Sequence, residues 1–237
     1  AHPAEALLVE RALKGLAKLG RHAEVVELCE RAAEAAGGSK AAEHLLFAAE
    51  VTEQRLLDSE RALRLKLRAA ELDPRNPAAL TARADDQRRR GDKRGLAATL
   101  ADLAPMLEDE KEASARLELA RLFEELGDMA PARAALEAIL ARGPSAAGYT
   151  EALDALIPLL ERTSDFEELG RAQSIKAELA HGDARAELLR RAAHAFERSG
   201  QDTYALKAAA NAAAIQPTAE GLRHLAALCE KKKLFSK

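Results

Sequence analysis

Residues 119–144 read LARLFEELGDMAPARAALEAILARGP, and they show the repeating pattern of the chain most clearly. They carry two apolar stripes with helical spacing, namely Leu119, Ala120 and Phe123, followed by Ala132, Leu136 and Ile139. Gly127 and Asp128 interrupt the pattern between the stripes, and Pro144 follows the second stripe. The spacing therefore predicts one antiparallel pair of helices joined by a tight turn.

Weaker copies of this helix pair fill the sequence. The turn markers Gly91, Gly127, Ser164 and Gly200 recur at intervals of 36, 37 and 36 residues, and apolar stripes flank each of them. A fixed period of this size is the signature of a repeat array. We predict one continuous array, with repeats over residues 3–37, 41–75, 77–108, 112–144, 149–181 and 184–217 and a final helix over residues 218–233.

The composition points to helices packed on helices. Alanine is abundant, aromatic residues make up only 3% of the chain, and tryptophan is absent. Such a core suits close packing of helices, and few windows show the alternation of Val, Ile and Thr that strands require. The chain is therefore predicted to be all-α, with about six antiparallel helix pairs and a C-terminal helix. Each pair exposes an apolar stripe that only a neighbouring pair buries.

These residues resemble the tetratricopeptide repeat (TPR) family over nearly the whole chain. Two repeats match the family pattern most closely, through Leu119, Ala120, Phe123, Gly127, Ala132 and Pro144, and through Ala192, Ala193, Phe196, Gly200, Ala205, Ala212 and Pro217. No Trp opens a repeat, and Leu136 and Ala209 replace the usual aromatic residue of the second helix. The resemblance implies a right-handed α-solenoid. Ankyrin and HEAT repeats are the alternatives within the helical-repeat class.

Charge, hydropathy and cysteine usage argue against nucleic-acid binding, a membrane span and a disulfide framework. A net charge of -3 and a pI near 6.2 argue against general nucleic-acid binding. No apolar run approaches the roughly 18 residues of a membrane span. Cys29 and Cys229 lie on apolar stripes and predict buried thiols rather than a disulfide framework, which favours the cytoplasm over the periplasm. The chain begins without Met and almost inside a helix, so we expect an excised segment or a processed form.

The sequence predicts neither an active site nor a cofactor site. It lacks a Ser/His/Asp set, a Cys/His pair and a glycine-rich phosphate loop. Its six histidines form no pair at the i, i+3 or i, i+4 spacing of metal ligands, so no metal is predicted. His194 and His224 are expected to face the same surface from neighbouring repeats. We therefore predict a non-enzymatic protein.

The resemblance implies that the first helices of successive repeats line a groove, which takes an extended peptide, a helix or a whole domain. The predicted partner-binding residues lie on these helices, away from the packing stripe: Arg83, Asp85, Arg88, Arg121, Asp154, Arg190, Arg191, His194, Arg198 and Arg223. The later part of this set is net basic, which predicts an acidic partner segment. The alternative is that these charges only keep the array in solution.

The predicted function is a scaffold or adaptor that binds another protein along this groove. Abundant Ala and Arg indicate a GC-rich bacterial source, and we therefore expect a motility, pilus or secretion assembly as the context. One alternative is self-association through the apolar edge of the last helix, around Leu225 and Cys229. Another is that the array is a regulatory or docking segment of a larger protein.

Overall fold

The computed structural model describes residues 3–235, with side chains described for residues 8, 9 and 11–231. Within residues 3–235 the chain forms thirteen α-helices and no strand, which confirms the all-α helical-repeat prediction. In chain order the helices are α1 Pro3–Lys18, α2 His22–Ala36, α3 Gly38–Val51, α4 Ser59–Leu72, α5 Pro77–Arg90, α6 Lys93–Leu103, α7 Asp109–Leu126, α8 Met129–Leu140, α9 Tyr149–Thr163, α10 Phe166–Leu179, α11 Gly182–Arg198, α12 Asp202–Ile215 and α13 Ala219–Phe235.

From α1 to α12, each odd-numbered helix is the first helix of a predicted pair, and each even-numbered helix is the second. The chain separates into two compact units, and the division falls in sequence between Leu122 and Phe123, within α7. In the N-terminal unit each of the helices α1 to α5 contacts the helix that follows it, and α3 also contacts α5. In the C-terminal unit each helix from α8 to α13 contacts the next. The single continuous array stays a prediction.

The turn markers of the sequence have a common backbone conformation. Gly91, Gly127 and Gly200 have φ angles of 70°, 85° and 76°, and Ser164 has a φ of 58°, so all four are left-handed. This conformation ends a helix and reverses the chain, and glycine adopts it without the steric penalty of a Cβ atom. The period of about 36 residues is therefore the spacing between left-handed turns.

Small residues and leucines form the core. In the N-terminal unit the fully buried side chains include Val25, Leu45 and Leu80. In the C-terminal unit the ring of Phe196 on α11 lies directly over Gly170 on α10, where a Cβ atom would be only 2.7 Å from the ring. Phe196 also contacts Tyr204 on α12, with ring centroids 5.4 Å apart. Close approach of the helices therefore depends on a glycine that the apolar pattern does not reveal.

The segment between α3 and α4 departs from a regular hairpin. Residues Thr52–Leu56 continue α3 as a π-helix, and Leu57 then adopts a left-handed conformation with a φ of 56°. The buried Thr52 hydroxyl donates a hydrogen bond to the carbonyl oxygen of Ala48 at 2.7 Å. Asp58 caps α4 by accepting a hydrogen bond from the backbone N–H of Arg61. This widened turn was not predicted from the sequence.

Candidate interaction surfaces

In the N-terminal unit, α5, α6 and α7 surround an open cavity of about 520 Å³. Leu100 and Leu103 supply apolar lining, and Arg88, Asp85 and Glu118 supply charged lining. Arg88 donates hydrogen bonds from Nε and Nη2 to the Glu118 carboxylate, at 2.8 Å each, and from Nη1 to Asp85 at 2.6 Å. The hydrogen bond to Glu118 is the main cause that raises the pKa of Arg88. Two of the predicted binding residues thus already neutralise each other within the chain.

The other two predicted residues of this unit differ in accessibility. Arg83 is half-buried and donates a hydrogen bond from Nε to the hydroxyl of the buried Thr99, at 3.1 Å. Arg83 therefore ties α5 to α6. Arg121 on α7 is exposed and is therefore accessible to a partner.

In the C-terminal unit, α9, α10 and α11 surround an open cavity of about 420 Å³. Three predicted residues, Arg191, His194 and Arg198, line it together. Gln173 on α10 also lines this cavity and is only 2% exposed. Its side-chain oxygen Oε1 accepts no hydrogen bond from the part of the chain that the structure describes. A buried acceptor without a donor is uncommon in folded proteins, and sequence reasoning missed this one because no local pattern reveals it.

The arginines at this cavity are held in place by neighbouring side chains. The guanidinium of Arg198 lies over the ring of Phe166, 3.7 Å from the centroid, as a cation–π contact. Arg191 donates a hydrogen bond from Nε to Glu187 at 3.0 Å. Burial raises the pKa of Glu187, but hydrogen bonds from Arg191 and Arg190 outweigh that effect and leave the pKa below its ordinary value.

The three remaining predicted residues have contacts of their own. Arg190 is half-buried and donates hydrogen bonds at 3.0 Å to Glu187 and to the side chain of Gln216, so it links α11 to the end of α12. Asp154 is exposed and forms an ion pair with Lys176. Arg223 on α13 is exposed and donates a hydrogen bond to the carbonyl oxygen of Ala219. Arg190 is therefore the least accessible arginine of the C-terminal set.

His194 and His224 are brought into contact by α11 and α13. Their rings are stacked, with centroids 4.1 Å apart and planes 8° from parallel. The Nε2 atom of His224 lies 2.8 Å from Oε2 of Glu197. Burial, and then the neighbouring charge of His224, lower the pKa of His194. The sequence places the two histidines on one surface, whereas the role of Glu197 depends on the packing of α13 and was missed.

Together the paired helices, their left-handed turn residues and the repeat of about 36 residues define an all-α helical-repeat protein. Within residues 3–235, no helix combines the length and the apolar character needed to cross a membrane.

No family model matches the sequence, and no curated protein matches it. Among solved structures, the chain is similar to YrrB, described as a TPR protein with an unusual peptide-binding site, with 17% identity, a TM-score of 0.45 and coverage of 81% of this chain and 92% of that one. It is also similar to a tetratricopeptide repeat protein from Parabacteroides merdae, with 12% identity, a TM-score of 0.41 and coverage of 93% and 96%. For PilF of Pseudomonas aeruginosa the identity is 13%, the TM-score 0.38 and the coverage 93% and 96%.

Proposed function

We propose that this protein is a non-enzymatic scaffold that binds another protein at the cavity between the first helices α9 and α11 and the second helix α10 of its C-terminal unit. The observation that carries the proposal is the buried, unpartnered Oε1 atom of Gln173 in the cavity lined by Arg191, His194 and Arg198. A buried acceptor without a donor costs about 1–3 kcal/mol. The oxygen is out of reach in the free protein, but Gln173 lines the cavity, so a rotation of its side chain would let a partner's backbone N–H group donate to the oxygen and remove that cost.

The charges around the cavity favour an acidic partner segment. Arg198 and Arg191 are exposed, and their contacts with Phe166 and Glu187 hold the guanidinium groups in place before binding. Groups that are already ordered lose less conformational entropy when a ligand binds. Arg223 adds a further exposed positive charge on α13. Carboxylates of a partner therefore have ordered guanidinium groups to bind, while a backbone N–H reaches Gln173.

The remaining predicted residues contribute less directly to this proposal. Arg190 packs between α11 and α12, and Arg88 is satisfied by Glu118 and Asp85. A partner that displaced these contacts would have to replace them, which reduces the net gain in affinity. Arg121 on the N-terminal unit is exposed and stays a separate candidate contact.

The test compares the yield of captured partners from cell lysate between variants. In Gln173→Leu the buried acceptor is replaced by an apolar side chain of similar size, so the free protein becomes more stable while partner capture falls. In Arg191→Glu/Arg198→Glu the positive charge at the cavity is reversed, and capture of acidic partners falls as well. The matched control is Arg171→Glu, which reverses an exposed charge on the second helix α10. If all three variants retain the same partners at the same yield, the proposed surface is wrong.

Self-association is the second candidate function, and the apolar exposure of α13 supports it. The side chain of Leu222 is 48% exposed, whereas Leu228 is buried and Leu225 packs against the α11–α12 core. The edge left for another copy is thus smaller than the sequence indicates. Light scattering at several concentrations tests this candidate: a mass that rises with concentration supports it, and a constant monomer mass contradicts it.

The biological context proposed for this scaffold is a bacterial motility, pilus or secretion assembly, as the composition indicates. The proposed compartment is the cytoplasm, with the periplasm as the alternative. The identities of the captured partners test both, because components of such an assembly would be enriched over the Gln173→Leu sample.

A further inference from the structure

His194, Glu197 and His224 bring three metal-binding side chains together on the C-terminal unit. One ligand atom from each side chain lies within 4.8 Å of the other two. Among the described residues, this is the one group of three or more His, Cys, Asp or Glu side chains that meets this distance. His194 and Glu197 are three positions apart on α11 and so share a helix face, and His224 joins them from α13.

The spacing of the three ligand atoms is close to what a small divalent ion requires. Zinc binds His nitrogen and carboxylate oxygen at about 2.0–2.2 Å in tetrahedral geometry, which places neighbouring ligand atoms roughly 3.3 Å apart. The Nε2 atom of His224 and Oε2 of Glu197 are already 2.8 Å apart. Closing the site requires a rotation of the His194 side chain that opens the imidazole stack and turns its nitrogen toward these two atoms. The exposure of His194 and the partial exposure of Glu197 leave space for that rotation.

The protonation states also suit a metal. Neutral imidazole is the form that binds a metal ion, and the carboxylate balances part of the ion's charge. In a stack with planes only 8° from parallel, two charged imidazoles would repel each other, whereas an ion held between the two nitrogens and Glu197 attracts all three groups.

We propose that His194, Glu197 and His224 form a binding site for a divalent transition-metal ion of the zinc class. Two imidazoles and one carboxylate are a ligand set that zinc uses when a fourth position stays open to water or to another ligand. The site borders the surface to which Arg191 and Arg198 contribute, because His194 lines the same cavity as they do. The bound ion links α11 to α13 and adds positive charge beside the arginines. The site does not depend on the proposed partner binding.

Isothermal titration calorimetry with Zn²⁺ on the full, EDTA-treated chain tests the site. We expect saturable binding of one ion per chain and a higher thermal unfolding midpoint with Zn²⁺. His194→Ala is the main variant because His194 is exposed and its loss leaves the core intact. It should weaken binding by roughly tenfold or more and abolish the thermal shift. Glu197→Gln, which keeps the shape of the side chain, should weaken binding as well.

His181→Ala is the matched control, because His181 is also exposed and lies next to α11 but outside the cluster. It should bind Zn²⁺ as the unmodified chain does. The proposal is overturned if the unmodified chain shows no saturable binding, or if His194→Ala and His181→Ala bind Zn²⁺ equally well. Partner capture in the presence of EDTA is a separate measurement, so failure of the metal site and failure of the scaffold proposal can be told apart.

Discussion

Leu57 ends the π-helical turn in a left-handed conformation that strains its backbone. Its φ is 56° and its side chain is 82% exposed, so little apolar contact compensates for the strain. A left-handed backbone costs a residue with a Cβ atom about 1–2 kcal/mol. Glycine avoids this cost but loses more backbone entropy on folding, which lowers stability by roughly 0.5–1 kcal/mol. The steric cost is the larger of the two. We therefore expect Leu57→Gly to raise the free energy of unfolding by about 0.5–1 kcal/mol in urea denaturation. Leu57→Ala keeps the Cβ atom and is the control; equal stability of the two variants would contradict the strain.

Gly170 is the residue at which a single methyl group should disturb the C-terminal unit. In a free helix Gly→Ala is favourable by about 1 kcal/mol, but here the new Cβ atom would be 2.7–2.9 Å from three atoms of the Phe196 ring. Overpacking of a core costs about 1–3 kcal/mol, so Gly170→Ala should lower the free energy of unfolding.

Phe196→Leu supplies the partner variant for a double-mutant cycle with Gly170→Ala. The smaller side chain makes room for the methyl group, so the double variant should lose less stability than the two single variants together. A coupling energy of about 1 kcal/mol or more, measured by urea denaturation, is the expected result. Additive effects would mean that the two side chains do not compete for the same space.

Cys29 should be inert toward thiol reagents in the folded protein. Burial is the main cause that raises the pKa of its thiol from 9.0 to about 11, and the side chain is inaccessible. Above pH 9 the unfolded chain loses this proton while the folded chain keeps it, so stability should fall between about pH 9 and pH 11. Urea denaturation across this range should show the fall, and Cys29→Ala should lack this component. Equal labelling of Cys29 and the half-buried Cys229 at pH 8 would contradict this prediction.

Among the described side chains of α13, the buried Leu228 and polar contacts from His224 and Lys231 hold the helix to the C-terminal unit. Leu228 is 2% exposed and packs on α11 and α12, while Lys231 donates a hydrogen bond to Asp202 at 2.6 Å. We expect Leu228→Ala to cost about 2–5 kcal/mol, because it deletes buried volume in a close-packed site. Leu222→Ala on the same helix is the control and should cost far less, since Leu222 is 48% exposed. Chemical denaturation of both variants checks the difference, and similar losses would contradict the packing of α13.

The helical fold was predictable because its signals are local. Apolar spacing identifies each helix, and Gly91, Gly127 and Gly200 sit where the backbone becomes left-handed. Ser164 was found only through the period, because serine rarely adopts this conformation. The π-helical turn at Thr52–Leu56 has no such local signal, since it depends on how α3 meets α4. Local patterns therefore predict helices well and unusual helix ends poorly.

For the whole molecule, the number and position of the charged residues were predictable from the sequence, but the ion pairs that they form were not. The sequence identifies the arginines on the first helices, yet it does not show that Glu187 accepts hydrogen bonds from the exposed Arg191 and from the half-buried Arg190. It places His194 and His224 on one surface, but it does not reveal the third member of that cluster. Contacts between side chains on different helices decide which charges remain available, and such contacts depend on packing rather than on spacing along one helix.

The positions of the two tyrosines allow the unfolding of the two compact units to be followed separately by spectroscopy. The chain has two tyrosines and no tryptophan, and Tyr149 on α9 and Tyr204 on α12 both belong to the C-terminal unit. Tyrosine fluorescence therefore follows that unit alone, whereas far-ultraviolet circular dichroism follows the helices of both. A single urea titration followed by both signals can therefore assign each unfolding transition to its unit without a label. A transition seen by circular dichroism but not by tyrosine fluorescence belongs to the N-terminal unit, because that unit contains no tyrosine.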